Sequence, residues 1–249
     1  MSIRKIFNYL KKNFNCFKYK NLIKVYSHPR SGTHFLEAFL AENFFNKKKL
    51  LVKDVSWGHW SNRMKREGGN EFGKLFGSHE FPVRKTINSC YHKIYIYRDG
   101  RDVAYSIWKT PNFINPKYKE ISFRRFLDIK IDWEGSPAHR VEPKENIVEH
   151  WERHVKEWKK ISDKKLMIIK YEDLLNDPVN IYCSILKKYF PIKFFMYKFK
   201  IYKHKVVVIN HPVGLKPNDP GAGGWKKNFS KTEKSIFLRY IKDRDMLHG

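Results

Sequence analysis

The sequence predicts a single α/β domain, a central parallel sheet flanked by helices, on three observations. Short β-branched runs alternate with stretches of helical periodicity; two of the runs pass into a helix through a tight polar loop; and neither an internal repeat nor a low-complexity linker divides the 249 residues. Such alternation requires a parallel sheet covered on both faces, because each helix must carry the chain back to the edge where the next strand begins.

The elements follow in chain order. Residues 22–28 (LIKVYSH) read as a strand, residues 28–34 (HPRSGTH) as a turn, and Phe35, Leu36, Phe39, Leu40 and Phe44 recur at helical spacing. The same grammar returns at residues 93–97 (KIYIY), followed by the loop RDGRD and a helix carrying Val103, Ile107 and Trp108. Residues 74–80 (KLFGSHE) and 165–172 (KLMIIKYE) are two further expected strands. Between them Val148, Trp151, Val155 and Trp158 mark a helix over residues 147–161. The stretch from Asp132 to Lys144 reads as a loop or lid, and that from Leu215 to Gly224 as a second loop that a ligand would order.

At the N-terminus, Ile3, Ile6, Phe7, Leu10, Phe14 and Phe17 fall three and four apart among basic residues. Residues 1–20 are therefore expected to form a basic amphipathic segment ahead of a domain over 21–249, either docking on an anionic membrane surface or packing on that domain. The apolar stretch Ile6 to Leu10 is too short for a secretory core, so the segment is expected to remain on the chain.

Composition narrows the function classes. With 51 Lys+Arg against 25 Asp+Glu the net charge is +26, which draws polyanions: nucleic acid, anionic lipid, sulfated glycans or nucleotide phosphates. Lysine is spread along the whole chain with Asn, Ile, Phe and Tyr also abundant, a bias that an AT-rich coding sequence produces without selection for any ligand, and no specific nucleic acid is expected. A 16% aromatic content excludes disorder throughout. Cys16, Cys90 and Cys183 form no CxxC pair and no even framework, which fits a reducing, cytoplasmic setting. Nowhere do about 18 apolar residues run without charge, so no transmembrane helix is expected.

In a parallel α/β sheet, ligands sit beyond the carboxyl ends of the strands. The first turn lies at such a place. Ser31 and Thr33 offer hydroxyls, Gly32 lets the backbone approach an anion, and Arg30 adds a planar cation beside the unbonded N–H groups of a helix start. Ordinary helix capping would need no more than this turn. The Walker pattern GxxxxGK[ST] is absent, which leaves an ATPase, GTPase or kinase reading without its lysine and metal-binding hydroxyl.

A longer match gives the turn meaning: HPRSGTHFLEAFL (28–40) resembles the 5′-phosphosulfate loop of the sulfotransferases that use 3′-phosphoadenosine 5′-phosphosulfate (PAPS). A second segment, YIYRDGRDVAYSIW (95–108), resembles the family's 3′-phosphate segment, with Arg98 and Ser106 eight residues apart as that pattern requires. KYEDLLNDP (170–178) and GAGGWKKNF (221–229) are similar to two later family segments, in the expected order.

What the resemblance implies is a P-loop-like sulfotransferase architecture of the soluble type, with PAPS as sulfuryl donor and no metal. It carries nucleotide contacts onto Arg30, Ser31, Gly32, Thr33, His34, Phe35, Arg98, Ser106 and Tyr171, with Phe35 supplying an aromatic face where cytosolic members have Trp. His79, in GSHEFPV, resembles the family's catalytic histidine and is the expected general base, with Glu80 as its competitor. Arg30 is the expected electrostatic partner of the leaving phosphate, since a guanidinium holds its proton. The segment KPNDPG (216–221) departs from the family by lacking the Arg-Lys-Gly that completes the 3′-phosphate clamp.

Two further readings compete. His150 and His154 stand four apart and suggest half a zinc site, but HExxH would need Glu where Trp151 stands. A basic polyanion- or nucleotide-binding protein of the same fold, without transfer, is the alternative to an enzyme. The acceptor, a small molecule or a glycan, would be lined by His59, Trp60, the 132–144 loop and the 194–202 region.

Overall fold

The computed structural model describes residues 23–44, 75–89, 91–111, 114–131, 145–197 and 222–247. The expected N-terminal segment, most of the 132–144 and 215–224 loops, and His59 and Trp60 lie outside them. Four strands, β1 (Ile23–Ser27), β2 (Leu75–Ser78), β3 (His92–Tyr97) and β4 (Leu166–Lys170), form one sheet in the order β2-β1-β3-β4. Every pairing is parallel.

Strand alternation assigns the two faces. Ile23 and Val25 of β1, Ile94 and Ile96 of β3, and Ile169 of β4 fall in one core cluster with α1 (Thr33–Phe44), α6 (Tyr171–Asn176) and α7 (Pro178–Tyr189). Their neighbours Tyr26 and Tyr95 fall in the other, with residues of α3 (Gly100–Lys109), α4 (Phe123–Asp128), α5 (Ile147–Lys159) and α10 (Lys231–Tyr240). A side-chain period of two sends alternate residues to opposite faces. Helices cover both, as the alternation of strands and helices requires. The short helices α2 (Arg84–Ile87), α8 (Pro191–Tyr197) and α9 (Trp225–Asn228) complete the set.

Helix starts are fixed by local chemistry. Asn146 opens α5 with a capping box, accepting from the Val148 and Glu149 amides while Glu149 takes the Asn146 N–H. Asp99 caps α3 by accepting the Arg101 amide. The expected strand over 165–172 stops at Lys170, because Tyr171-Glu172-Asp173 begins α6. Two carboxylates in a first turn favour a helix N-terminus, so the chain turns where the sequence still reads as extended. Among the described residues no helix is long and apolar enough to cross a membrane.

Where α3 leaves the sheet it passes close to α5. A Cβ added at Gly100 would lie 2.6–2.8 Å from the Trp151 ring, and Trp151 is 1% exposed with no room to retreat. Gly100→Ala is therefore expected to destabilise the domain by about 1–3 kcal/mol, more than the ~1 kcal/mol by which alanine improves a helix. Urea denaturation checks this.

Candidate active site

Parallel strands end on a common edge, and here each strand is followed at once by a polar or aromatic residue of the site. His28 follows β1, His79 follows β2, Arg98 follows β3 and Tyr171 follows β4. The registers Tyr26 with Ser78, Ser27 with Ile96, and Tyr97 with Lys170 keep the four ends side by side.

The loop after β1 has the conformation of an anion nest. Arg30 has φ 65° and Gly32 φ 92°, left-handed residues of the kind that build such nests, while the Ser31 N–H between them is given to the His28 carbonyl at 3.3 Å. An arginine in the left-handed region costs about 1–2 kcal/mol, which packing around it has to offset. Gly32 cannot be replaced cheaply, because a Cβ there would overlap the Tyr171 ring.

Three hydroxyls organise the loop. Ser27 Oγ lies 2.6 Å from Thr33 Oγ1 and 3.2 Å from His79 Nδ1. His79 Nδ1 is also 2.9 Å from the Ser27 carbonyl oxygen. A carbonyl only accepts, so Nδ1 carries the proton, and the basic lone pair of neutral His79 is on Nε2. Ser31 is fully buried, and its Oγ makes no hydrogen bond to a described residue. A buried hydroxyl without a partner costs about 1–3 kcal/mol; a ligand oxygen at the nest would remove that cost.

Two arginines meet at this edge. Arg30 donates from Nε to Ser106 Oγ at 3.0 Å, tying the loop after β1 to α3. Burial is the larger influence that pushes the Arg30 pKa down, and the Arg98 charge adds to it. The guanidinium remains charged across the physiological range. Arg98 lies over the Tyr171 ring at 4.8 Å and pairs with Asp102 at 3.5 Å. The expected Arg98 and Ser106 are thus both at the site, but the hydrogen-bond partner of Ser106 is Arg30.

His34 stands in the first turn of α1 with Nδ1 3.0 Å from Glu37 Oε2. Glu37 is fully buried, which raises its pKa, while the hydrogen bond and charge of His34 act in the opposite sense. Phe35 is 4% exposed, packed edge-on against Tyr171 with ring centroids 5.6 Å apart, so its ring braces Tyr171 within the core. Glu80 follows His79, and its carbonyl accepts from Trp158 Nε1 at 3.0 Å; burial first, and the Glu80 charge second, push the Tyr26 pKa up.

His150 and His154 are both fully buried. His150 Nδ1 is 3.0 Å from His28 Nε2; His154 bonds Tyr95 OH through Nδ1 at 2.8 Å and the His79 carbonyl through Nε2 at 3.2 Å. Among the described residues no group of three or more His, Cys, Asp or Glu is arranged to hold a metal ion.

Sequence reasoning missed Asp102, Ser27 and the partner of His28. Asp102 Oδ2 accepts the Gly223 amide and Oδ1 the Trp225 amide, both at 2.8 Å. One buried carboxylate thereby docks the start of α9 beside Arg98. The only signal was its place in RDGRD, which reads equally as a helix cap.

These features fit a phosphosulfate: an orphaned hydroxyl, a nest built on two positive φ angles, and two guanidiniums at one sheet edge. The chain belongs to the sulfotransferase family, whose domain model, described as the sulfotransferase domain, matches residues 20–187. Among solved structures it is similar to mouse sulfotransferase SULT7A1 complexed with PAP, at 18% identity over 92% of this chain and 86% of that one, TM-score 0.56. It is also similar to retinol dehydratase in complex with androsterone and inactive cofactor PAP, at 17% identity over 94% and 84%, TM-score 0.52. A second retinol dehydratase structure, with retinol and PAP, matches at 17% identity over 95% and 86%, TM-score 0.51. No curated protein matches in sequence. At these identities the structural neighbours share the fold.

Asp102→Ala removes the acceptor of two backbone amides and the partner of Arg98. Hydrogen exchange at the Gly223 and Trp225 amides is expected to accelerate, with a loss of about 1.5–3 kcal/mol typical of hydrogen bonds to a charged group. Unchanged protection at both amides would remove Asp102 as the dock for this segment.

Proposed function

We propose that the chain transfers a sulfuryl group from PAPS to the hydroxyl or amine of an acceptor. The observation that carries this reading is the Arg30 Nε to Ser106 Oγ bond at 3.0 Å. It joins the two segments that the family resemblance assigns to opposite ends of one bisphosphorylated nucleotide. Family membership supports the same reading, as do two neighbours that hold PAP, the product nucleotide of such a transfer.

The donor supplies the activated sulfuryl group and a phosphate that can leave. Ser31, Thr33 and the N–H groups at the start of α1 hold the 5′ end, with His34 beside them; Arg98, with Ser106, holds the 3′-phosphate, and Tyr171 braces both the loop and Arg98. Arg30 stabilises charge developing on the bridging oxygen, in a buried site where such a contact is worth more than in water. His79, with Nδ1–H held by Ser27, takes the acceptor proton on Nε2. Glu80 is held through its backbone carbonyl by Trp158 Nε1, and His79 is taken as the base. Androsterone and retinol in the neighbours are apolar and hydroxyl-bearing; we extend that class, a hydroxylated small molecule, to this chain.

The test is transfer of labelled sulfate from PAPS onto phenols, sterols, retinoid alcohols, amines and glycans. Transfer to any supports the enzyme. Binding of adenosine 3′,5′-bisphosphate with no transfer to the whole panel would favour a nucleotide-binding protein of this fold.

His79→Ala is expected to lower turnover by about 10² to 10⁴ with nucleotide affinity nearly unchanged, while Glu80→Gln keeps most activity. The reverse pattern would reassign the base. Arg98→Ala is expected to weaken adenosine 3′,5′-bisphosphate by about 1.5–3 kcal/mol and adenosine 5′-phosphate far less. Calorimetry with both nucleotides checks this, and equal weakening would take Arg98 out of the 3′ contact.

A further inference from the structure

We propose that His28 and His150 are positioning residues that fix the peptide between Pro29 and Arg30, and with it the anion nest. The proposal rests on the sulfotransferase reading of that nest. It concerns two residues that touch neither nucleotide nor acceptor in that reading.

Both imidazoles are fully buried. His28 Nδ1 lies 3.0 Å from the Pro29 carbonyl oxygen. Because that oxygen can only accept, Nδ1 is protonated and Nε2 is an acceptor. His150 Nδ1, 3.0 Å from His28 Nε2, is therefore the donor of the second bond. The tautomers form a directed relay: α5 orients His28, and His28 orients the Pro29 carbonyl.

The consequence falls on the next residue. The Pro29 carbonyl and the Arg30 N–H share one planar peptide unit, so holding that oxygen fixes one side of the Arg30 N–Cα bond, and with the other side held through the Ser31 amide and Ser106 it restrains rotation about that bond. That torsion is the one at 65°. Without the relay, Arg30 would gain by relaxing to negative φ, and the turn that presents its N–H ahead of α1 would change. His28 holds the turn a second way, since its own carbonyl accepts the Ser31 amide at 3.3 Å. Phe81 packs edge-on against both His150 and His154, at centroid separations of 5.3 and 4.6 Å.

Apolar packing and hydrogen-bond direction make opposite demands at position 150, which allows a test. Asparagine can place an amide N–H near the place of Nδ1–H, though it fills a buried site poorly. Leucine fills the site but cannot donate. Calorimetric titration with adenosine 3′,5′-bisphosphate is read beside melting temperature for the parent protein, His150→Asn, His150→Leu, His28→Phe, and His28→Phe combined with His150→Leu. His150→Leu and His28→Phe are expected to weaken the bisphosphate about tenfold, the scale of one lost orienting hydrogen bond. His150→Asn should stay within about threefold of the parent although its melting temperature is no higher than that of His150→Leu. The double variant should be no weaker than either single one, because one relay is broken only once. In turnover the same variants should raise KM for PAPS more than they lower kcat.

Affinity that follows melting temperature, or equal weakening by Asn and Leu, would reduce the pair to core packing and overturn the proposal. So would additive losses in the double variant; if the His28 variant fails to fold, the comparison of His150→Asn with His150→Leu still decides. A parent protein that does not bind the bisphosphate would overturn the nucleotide reading, and the role of the pair with it.

Discussion

The constraint on which the rest depends is the common polarity of the four strands. Because β1, β2, β3 and β4 run parallel, their carboxyl ends lie together, and the residue after each end is delivered to the same edge. His28, His79, Arg98 and Tyr171 are far apart in sequence. They become neighbours by strand length and register alone. Each strand also has to be buried on both faces, which brings α1 and α3 back across the sheet with their N-termini at that edge. The loop that carries Arg30 and the helix that carries Ser106 follow from one topology.

Polarity of the sheet gathers positive charge as well as side chains. Arg30 and Arg98 repel one another in a setting that desolvates both, and the fold offsets this with Asp102, Tyr171 and Ser106. That compensation is incomplete by construction. Ser31 Oγ is left without a described partner, and Arg30 keeps a backbone conformation that most residues avoid. Local stability is lowered where a dianion would restore it, a common arrangement in sites organised before the ligand arrives.

The sequence made the local grammar visible because strand, turn and helix are short-range. The β1 turn with Arg30, Ser31 and Gly32, the Arg98 to Ser106 spacing, and the helix through Trp151 and Trp158 could be read from periodicity and motif. Three things could not. Tyr171 begins a helix where the β-branched run suggested strand to residue 172, because acidic residues in a first turn outweigh the apolar pattern before them. Asp102 bonds Gly223 and Trp225 more than a hundred residues away, and no spacing rule reaches so far. The two histidines of α5 looked like half a metal site; their partners, His28 for one and Tyr95 with the His79 carbonyl for the other, are set by the sheet and invisible to spacing.

Arginine at position 30 follows from the same geometry. Its Nε is committed to Ser106 Oγ, which ties the first loop to α3, and the terminal nitrogens of the planar fork remain for a ligand. A lysine has a single donor atom on a flexible stem, so bonding Ser106 and an anion together would draw both onto one ammonium. It could carry charge to the bridging oxygen, but it would not hold the two segments at a fixed separation while doing so. The positive φ at this residue is then intelligible, because it lets a long side chain run along the edge toward α3 while its backbone stays in the nest. Charge, tether and turn are met by one residue, and the histidine relay beneath it is what keeps that residue in the conformation all three require.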